Sequence, residues 1–305
     1  MAPTLTSDFS GFLSPEMSAP IFNDARRFSA FQQLFRRVPL GINGQAIPVV
    51  TGKPTANWVG EGGRKPTTSG SLGLLTIEPE KLAAIWVTSA EVVRANPGNI
   101  TGEMREGLAE AFATAFDLAV GYNLGGDGTG SGPFDKSLSD TSKSVEIGTT
   151  TQAAGGVHGD FVAAMSALVT DGKKLTGFAV DDVLEPTIWG AVDGNGRPLY
   201  VDLPTDDTSQ AIARPGRLLN RPSYMGPGVG NGTTVGWAGD FTKGAWGAVG
   251  GISYRVSTEA TVTIDGTLTS LWEHNLVAVL AEAEYGFVLA DEEAFVELST
   301  AADAG

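Results

Sequence analysis

The residues able to do chemistry are few in this chain, and their spacing commits them to no reaction. There is no cysteine, which excludes disulfides, thiolate metal sites and cysteine nucleophiles together. The two histidines, His158 and His274, stand alone, without the partner that a metal ligand or general base requires. Glu103, Glu106, Glu110 and Asp117 fall within one helical stretch, away from its main apolar line. No second cluster of acids or histidines faces them, so they are expected to be a solvated face and not a metal site. The glycine-rich run LGGDGTGSGPFDKSL, residues 124–138, raises the question of phosphate binding. It has neither glycine spacing of the nucleotide-binding loops, and it follows a helix where those loops follow a strand. A loop whose glycines adopt positive φ is the expectation. No catalytic residue, cofactor or metal site is therefore expected.

What organises the chain is the stretch 99–123, NITGEMREGLAEAFATAFDLAVGYN. Ile100, Met104, Leu108, Ala111, Phe112, Ala115, Phe116, Ala119 and Val120 recur every three to four residues, on one face of a helix. Pro97 and Gly98 precede it and Gly125 and Gly126 end it, giving a rod of roughly 36 Å at ~1.5 Å per residue. Before this spine, PIFNDARRFSAFQQLFRRV sets Phe22, Phe28, Phe31 and Phe35 on a broad apolar helical face. Such a face must dock on the body of the protein or on another copy.

From Gln45 to Ser89 the pattern changes to two long strands meeting at the turn-rich tip GEGGRKPTTSG. A two-stranded ribbon is marginal by itself in water. Displaying Trp58, Val59, Leu72, Leu74, Leu75 and Ile77, this one is expected to bury a face on a neighbour. Beyond the glycine run, 159–172 reads as a helix capped by Asp160 or Gly159, with Phe161, Ala164, Met165, Leu168 and Val169 inward. FAVDD follows as a strand and LEPTIWGAV as a short helix. A loop-rich lobe occupies 205–232, Ile252 to Ile264 alternate as one long strand, and LWEHNLVAVLAEAE fits strand and helix equally. The last element, YGFVLADEEAFVELS, has strand-like ends around an acidic turn.

With 42% hydrophobic residues in 305, a real core is affordable. No apolar run approaches the ~18 residues of a membrane span, and the N-terminus lacks the pattern of a signal peptide. The net charge is -15, and ten acids with no lysine or arginine lie between Val256 and Gly305. The first forty residues, with Arg26, Arg27, Arg36 and Arg37 against Asp8, Glu16 and Asp24, are slightly basic. That balance excludes a duplex-coating surface, which needs many cations to displace counterions. It is compatible with head-to-tail contact between copies.

In order along the chain, IPVVTGKPTANWVGEGGRKPTTS, LTIEPEKLAAIWVTSAEVV, the long helix ending FDLAVGYNLGGDGTGSGPF, DGNGRPLYV with LLNRPSYM, GDFTKGAWGAVGGISYRVS and VLADEEAFVELS resemble the major capsid proteins of tailed bacteriophages with the Hong Kong 97-type fold. The resemblance implies an α+β fold with an N-terminal arm (1–44), an extended loop or β ribbon (45–89), a peripheral domain (90–154 and 241–305) built on the spine helix, and an axial domain (155–240). It implies a structural protein and not an enzyme, forming hexamers and pentamers of an icosahedral shell around double-stranded DNA. Implied partners are further copies of the chain, a portal protein, separate scaffolding and cement proteins, and packaged DNA bound non-specifically; no membrane is involved. The place implied is the virion capsid, assembled in the host cytoplasm. Some relatives carry a long N-terminal scaffolding region; here the arm begins within ~20 residues of Met1, so scaffolding is expected from another protein. In a few relatives a loop lysine is joined covalently to a neighbour's asparagine. Lys65 lies near the tip, but no motif identifies the asparagine, and such a bond is not expected. Contacts between subunits are expected at Phe28, Phe31 and Phe35 in the arm, and at Trp58, Glu61, Arg64 and Lys65 near the loop tip. The alternatives are an encapsulin-like compartment shell and, more remotely, a nucleotide-binding enzyme.

Overall fold

The computed structural model describes residues 29–52, 55–68, 71–95, 100–151, 155–191, 200–202 and 214–301. The spine helix runs Ile100–Tyr122. Leu108, Phe112, Phe116, Ala119 and Val120 on its apolar line are buried in one core. Asn123 ends it at φ 50°, a left-handed position that asparagine tolerates. The Asn123 side-chain oxygen then accepts the Phe134 amide at 3.1 Å, closing the glycine loop on itself.

One sheet packs on this helix. Its strands are β1 (Arg36–Arg37), β4 (Glu80–Ser89), β11 (Gly244–Ala248), β12 (Ser253–Ser257) and β15 (Leu276–Leu289). The fourteen-residue β15 is its axis: β4 pairs along one edge, β12 and then β11 along the other, and β1 runs parallel to β11. Val277, Ala281, Ala283, Tyr285, Phe287 and Leu289 of β15 are buried, the period-two pattern of a strand with one face on a core. That settles the ambiguous stretch as strand. Phe116 of the spine meets Trp246 and Tyr285 at ring distances of 5.8 and 5.5 Å.

The second sheet has the order β5 (Ser144–Glu146), β16 (Phe295–Ser299), β10 (Thr234–Gly239), β6 (Gly177–Val180), β9 (Arg221–Met225), β8 (Arg214–Leu218), β7 (Tyr200–Asp202). Its central strands are covered on both faces, so they carry continuous apolar runs. Ala179, Trp237 and Phe295 face the spine core. Phe178, Val180, Ala238 and Val296 face a second core closed by Phe161 and Leu168 of the helix Gly156–Thr170.

Several expectations need correction. The final strand, placed by sequence with the peripheral segment, pairs with β10 in the second sheet, and Ser144–Glu146 pairs in parallel with that final strand. The ribbon is shorter than 45–89: only β2 (Gln45–Gly52) and β3 (Ser71–Ile77) pair with each other, while β4 turns away into the main sheet. The alternating run 252–264 is two strands, because the Ser257 hydroxyl accepts the amides of Glu259 and Ala260 and breaks it. The remainder forms a hairpin, β13 (Thr261–Ile264) with β14 (Thr267–Ser270). The helix after the glycine loop starts at Gly156, and Asp160 does not cap it. Instead its buried carboxylate accepts the amides of Gly148 and Thr150 at 2.7 and 3.1 Å. Val169, expected inward, is exposed.

Candidate self-assembly surface

The arm reaches the body through a five-residue helix, Ala30–Leu34. Phe31 is fully buried against the spine, where a Cβ on Gly121 would meet its ring at 3.5 Å. Phe35 is clasped by Phe241, Phe287 and Phe295 at 5.0, 5.2 and 6.0 Å. Both side chains are spent on the chain's own core, which removes them from the candidates for contact with a neighbour. Phe28 lies outside the described residues.

The acid expected on the solvated face of the spine is also in this joint. Asp117 is fully buried, accepting the Ser29 hydroxyl at 2.6 Å and the Ala30 amide at 3.1 Å. Ser29 in turn accepts the Gln32 amide at 3.0 Å as the cap of the short helix. Burial pushes the Asp117 carboxyl up to about 8 although these hydrogen bonds oppose the rise. Glu110 is exposed as expected.

At the far end of the ribbon the remaining candidates come together on one loop. Thr55 donates its amide to the Thr68 hydroxyl across the base of the tip at 2.9 Å. A turn closed by Gly63 N–H to Gly60 O at 3.0 Å, with Gly62 at φ 76°, places Glu61 at its corner. Trp58 has 104% relative exposure. Among the described residues none covers it. Glu61, Arg64 and Lys65 are likewise exposed. The root of the ribbon is fixed: Ile77 is fully buried, and a Cβ on Gly286 would overlap its side chain and lie 2.6 Å from Glu78 O.

Sequence reasoning missed a second projecting surface. Leu268 on β14 and Trp272 just after it are each 74% exposed. The alternation that reads as one strand ends at Ile264, and no local pattern in the sequence marks Leu268 and Trp272 as a projecting turn. The acidic block also divides in a way composition does not reveal. Asp291, Glu292, Glu293 and Glu282 pair with Lys173, Lys136, Lys143 and Lys81 from distant segments, while Glu259, Asp265 and Glu273 are on or beside the hairpin.

The glycine loop is held by its own bonds, Asp127 to the Thr129 amide among them, with Gly128 and Gly130 at φ 75° and 71°. His158 is half-buried, and the exposed His274 places Nδ1 2.9 Å from Ser270 O. Among the described residues no group of three or more histidines and acids is arranged to hold a metal, and no helix is long and apolar enough to cross a membrane.

Compared with solved structures, the chain superposes on one from Gordonia phage Cozz with a TM-score of 0.68 at 23% identity, covering 90% of this chain and 87% of that one. A chain from Mycobacterium phage Adephagia gives a TM-score of 0.69 at 16% identity, with 98% of each covered. The mixed helix-and-strand fold is that of the tailed-phage capsid proteins of the Hong Kong 97 type. In sequence, the chain is 43% identical over 310 residues to a probable major capsid protein, gp17, of Mycobacterium phage D29, covering 100% of this chain and 95% of that protein. It is 24% identical to the major capsid protein of Staphylococcus phage 80alpha, over 94% of this chain and 85% of that one. The model of the phage capsid family matches residues 10–299. The chain belongs to that family, and its role is that of a phage major capsid protein, a structural component of the virion.

Proposed function

We propose that copies of this subunit associate through the ribbon tip into hexamers and pentamers, which close as an icosahedral shell around double-stranded DNA. Peripheral and axial domains then correspond to the spine with its sheet and to the second sheet with its helix. Trp58 carries this reading: an indole held on a two-stranded ribbon, solvated on all sides in the single chain, is a large apolar surface without a purpose until a partner covers it. Glu61, Arg64 and Lys65 around it give the contact polarity and direction. A contact between two different patches of identical subunits propagates head to tail and closes when the rotation permits. Assembly takes place in the host cytoplasm, with portal, scaffolding and cement proteins as further partners and DNA enclosed without sequence recognition.

Reversing the tip charges, Arg64→Glu with Lys65→Glu, tests the reading. Particle yield by sedimentation is expected to fall roughly tenfold or more, since each tenfold is only ~1.4 kcal/mol. The melting temperature of the subunit is expected to stay unchanged, because both side chains are exposed. Unchanged yield would remove the tip from the assembly contact.

A further inference from the structure

Three asparagines of the chain are followed by glycine: Asn43, Asn195 and Asn231. The pairing matters chemically, because glycine has no side chain to shield its own amide nitrogen from the carboxamide of the residue before it. Asn195 and Gly196 lie outside the described residues. Asn43 and Asn231 are both exposed, and both sit in turns, but the two turns treat the glycine nitrogen in opposite ways.

At Asn43 the nitrogen is engaged. Gly44 N–H donates to Gly41 O at 3.0 Å, and the residue is hemmed in from another side, since a Cβ there would lie 2.6 Å from Ile77 O. At Asn231 there is no such restraint. Asn231 and Thr234 exchange both backbone hydrogen bonds, at 3.0 and 3.1 Å, which closes a two-residue hairpin turn with Gly232 at its first central position and φ 61°. The Gly232 amide takes no part in that exchange and donates to no described residue. Open space surrounds it: a Cβ on Gly232 would meet nothing within 4 Å.

We infer that Asn231 is a site of spontaneous deamidation, with the Gly232 nitrogen as nucleophile. The nitrogen attacks Cγ of Asn231. The new N–Cγ bond forms, the bond from Cγ to the side-chain nitrogen breaks, and ammonia leaves with the proton that the Gly232 amide gives up. Water then opens the cyclic imide. Opening at the side-chain carbonyl leaves an aspartate, and opening at the main-chain carbonyl leaves an isoaspartate with one extra carbon in the backbone. Nothing is oxidised or reduced, and the only co-reactant is water.

The change is local in chemistry but not in position. Beside the turn, the Tyr122 hydroxyl at the end of the spine donates to Val229 O at 2.7 Å, Gly230 N–H donates to the Asp181 carboxylate at 2.9 Å, and Thr300 N–H donates to Thr233 O at 2.8 Å. Aspartate adds a negative charge one residue from the amide that holds Asp181. Isoaspartate lengthens the turn, so Asn231 and Thr234 lose the register that both their bonds require. Either product loosens the loop that ties the end of the spine to the second sheet.

The test uses the full chain, aged at neutral and at mildly alkaline pH in heavy-oxygen water, digested at intervals and mapped by mass spectrometry. Isoaspartate is counted by the methyl groups that protein isoaspartyl methyltransferase transfers. Conversion at residue 231 is expected to be first-order, faster at the higher pH and roughly tenfold ahead of residue 43, the difference that one engaged amide makes to a barrier. The new carboxylate is expected to carry the heavy oxygen. Asn231→Gln is expected to abolish the signal and to keep the melting temperature that the ageing wild type loses. Conversion at residue 43 as fast as at residue 231 would overturn the assignment, as would a residue 231 that stays intact while a peptide covering 226–236 converts under the same conditions. A melting temperature that does not fall with isoaspartate content would overturn the effect on the spine.

Discussion

Asp117→Asn isolates the buried acid that ties the arm to the spine. Burial raises this carboxyl from 3.8 to about 8, so the folded protein binds one more proton than the unfolded chain between those values. A group whose folded pKa is raised contributes stability that is fully present below the unfolded value and lost as pH rises through the folded one. The slope is ~1.36 kcal/mol per pH unit, so from pH 5 to pH 8 the wild type is expected to lose about 4 kcal/mol through Asp117 alone. Asparagine keeps an oxygen to accept the Ser29 hydroxyl or the Ala30 amide, but it does not titrate. Carboxylates held below their usual range, such as Asp171 and Glu293 beside Lys143, act at lower pH and are common to both proteins, so they cancel in the difference. The assay is urea unfolding of dissociated subunits at pH 5, 6, 7 and 8, comparing extrapolated stabilities. The wild type is expected to lose ground to the variant steadily across this range. A difference that stays constant with pH would show the carboxylate to be ionised in the fold, and the reasoning would fail.

Three further outcomes follow from the packing. Trp246→Ala, which removes a fully buried indole that meets Phe116 edge-on and donates to Gln32 O at 3.2 Å, is expected to cost about 3–5 kcal/mol in denaturant unfolding. Gly286→Ala drives a methyl into Ile77 and Glu78 O, and is expected to cost about 1–3 kcal/mol and to raise proteolytic cleavage at the ribbon root. Lys143→Ala breaks exposed pairs with Asp171 and Glu293 at 2.8 and 3.1 Å; the loss in melting experiments is expected to be about 1 kcal/mol or less and to shrink at high salt.

How much of this was legible in the residues depends on whether one element or two had to be known. The spine was readable because Met104, Leu108, Phe112, Ala115, Phe116, Ala119 and Val120 settle its buried line without reference to anything else, although Ala111 on the same expected line is exposed. Asp117 was misplaced because its partner, Ser29, comes from another element 88 residues away. A local sign did exist: Ala113 and Gly121, one turn to either side, are small, and they mark a second face where the arm helix approaches closely. Phe31 and Phe35 illustrate the same ambiguity, since an apolar helix face fits a chain's own core and a neighbour's equally well. The strands β15 and β16 look like a hairpin in sequence, yet the Glu292–Ala294 turn carries the chain from one sheet to the other, with Asp240 N–H bound to Ala294 O at 2.9 Å. The tip was legible because glycine, proline and charge around a lone tryptophan leave little to pack on.

The most direct test of the central claim is electron microscopy with light scattering on the chain produced alone and together with the products of its neighbouring genes. The account predicts hollow closed shells, or rings of five and six subunits, that disappear on reversal of Arg64 and Lys65. A monodisperse 31.6 kDa monomer under both conditions, at concentrations where subunits meet freely, would contradict it.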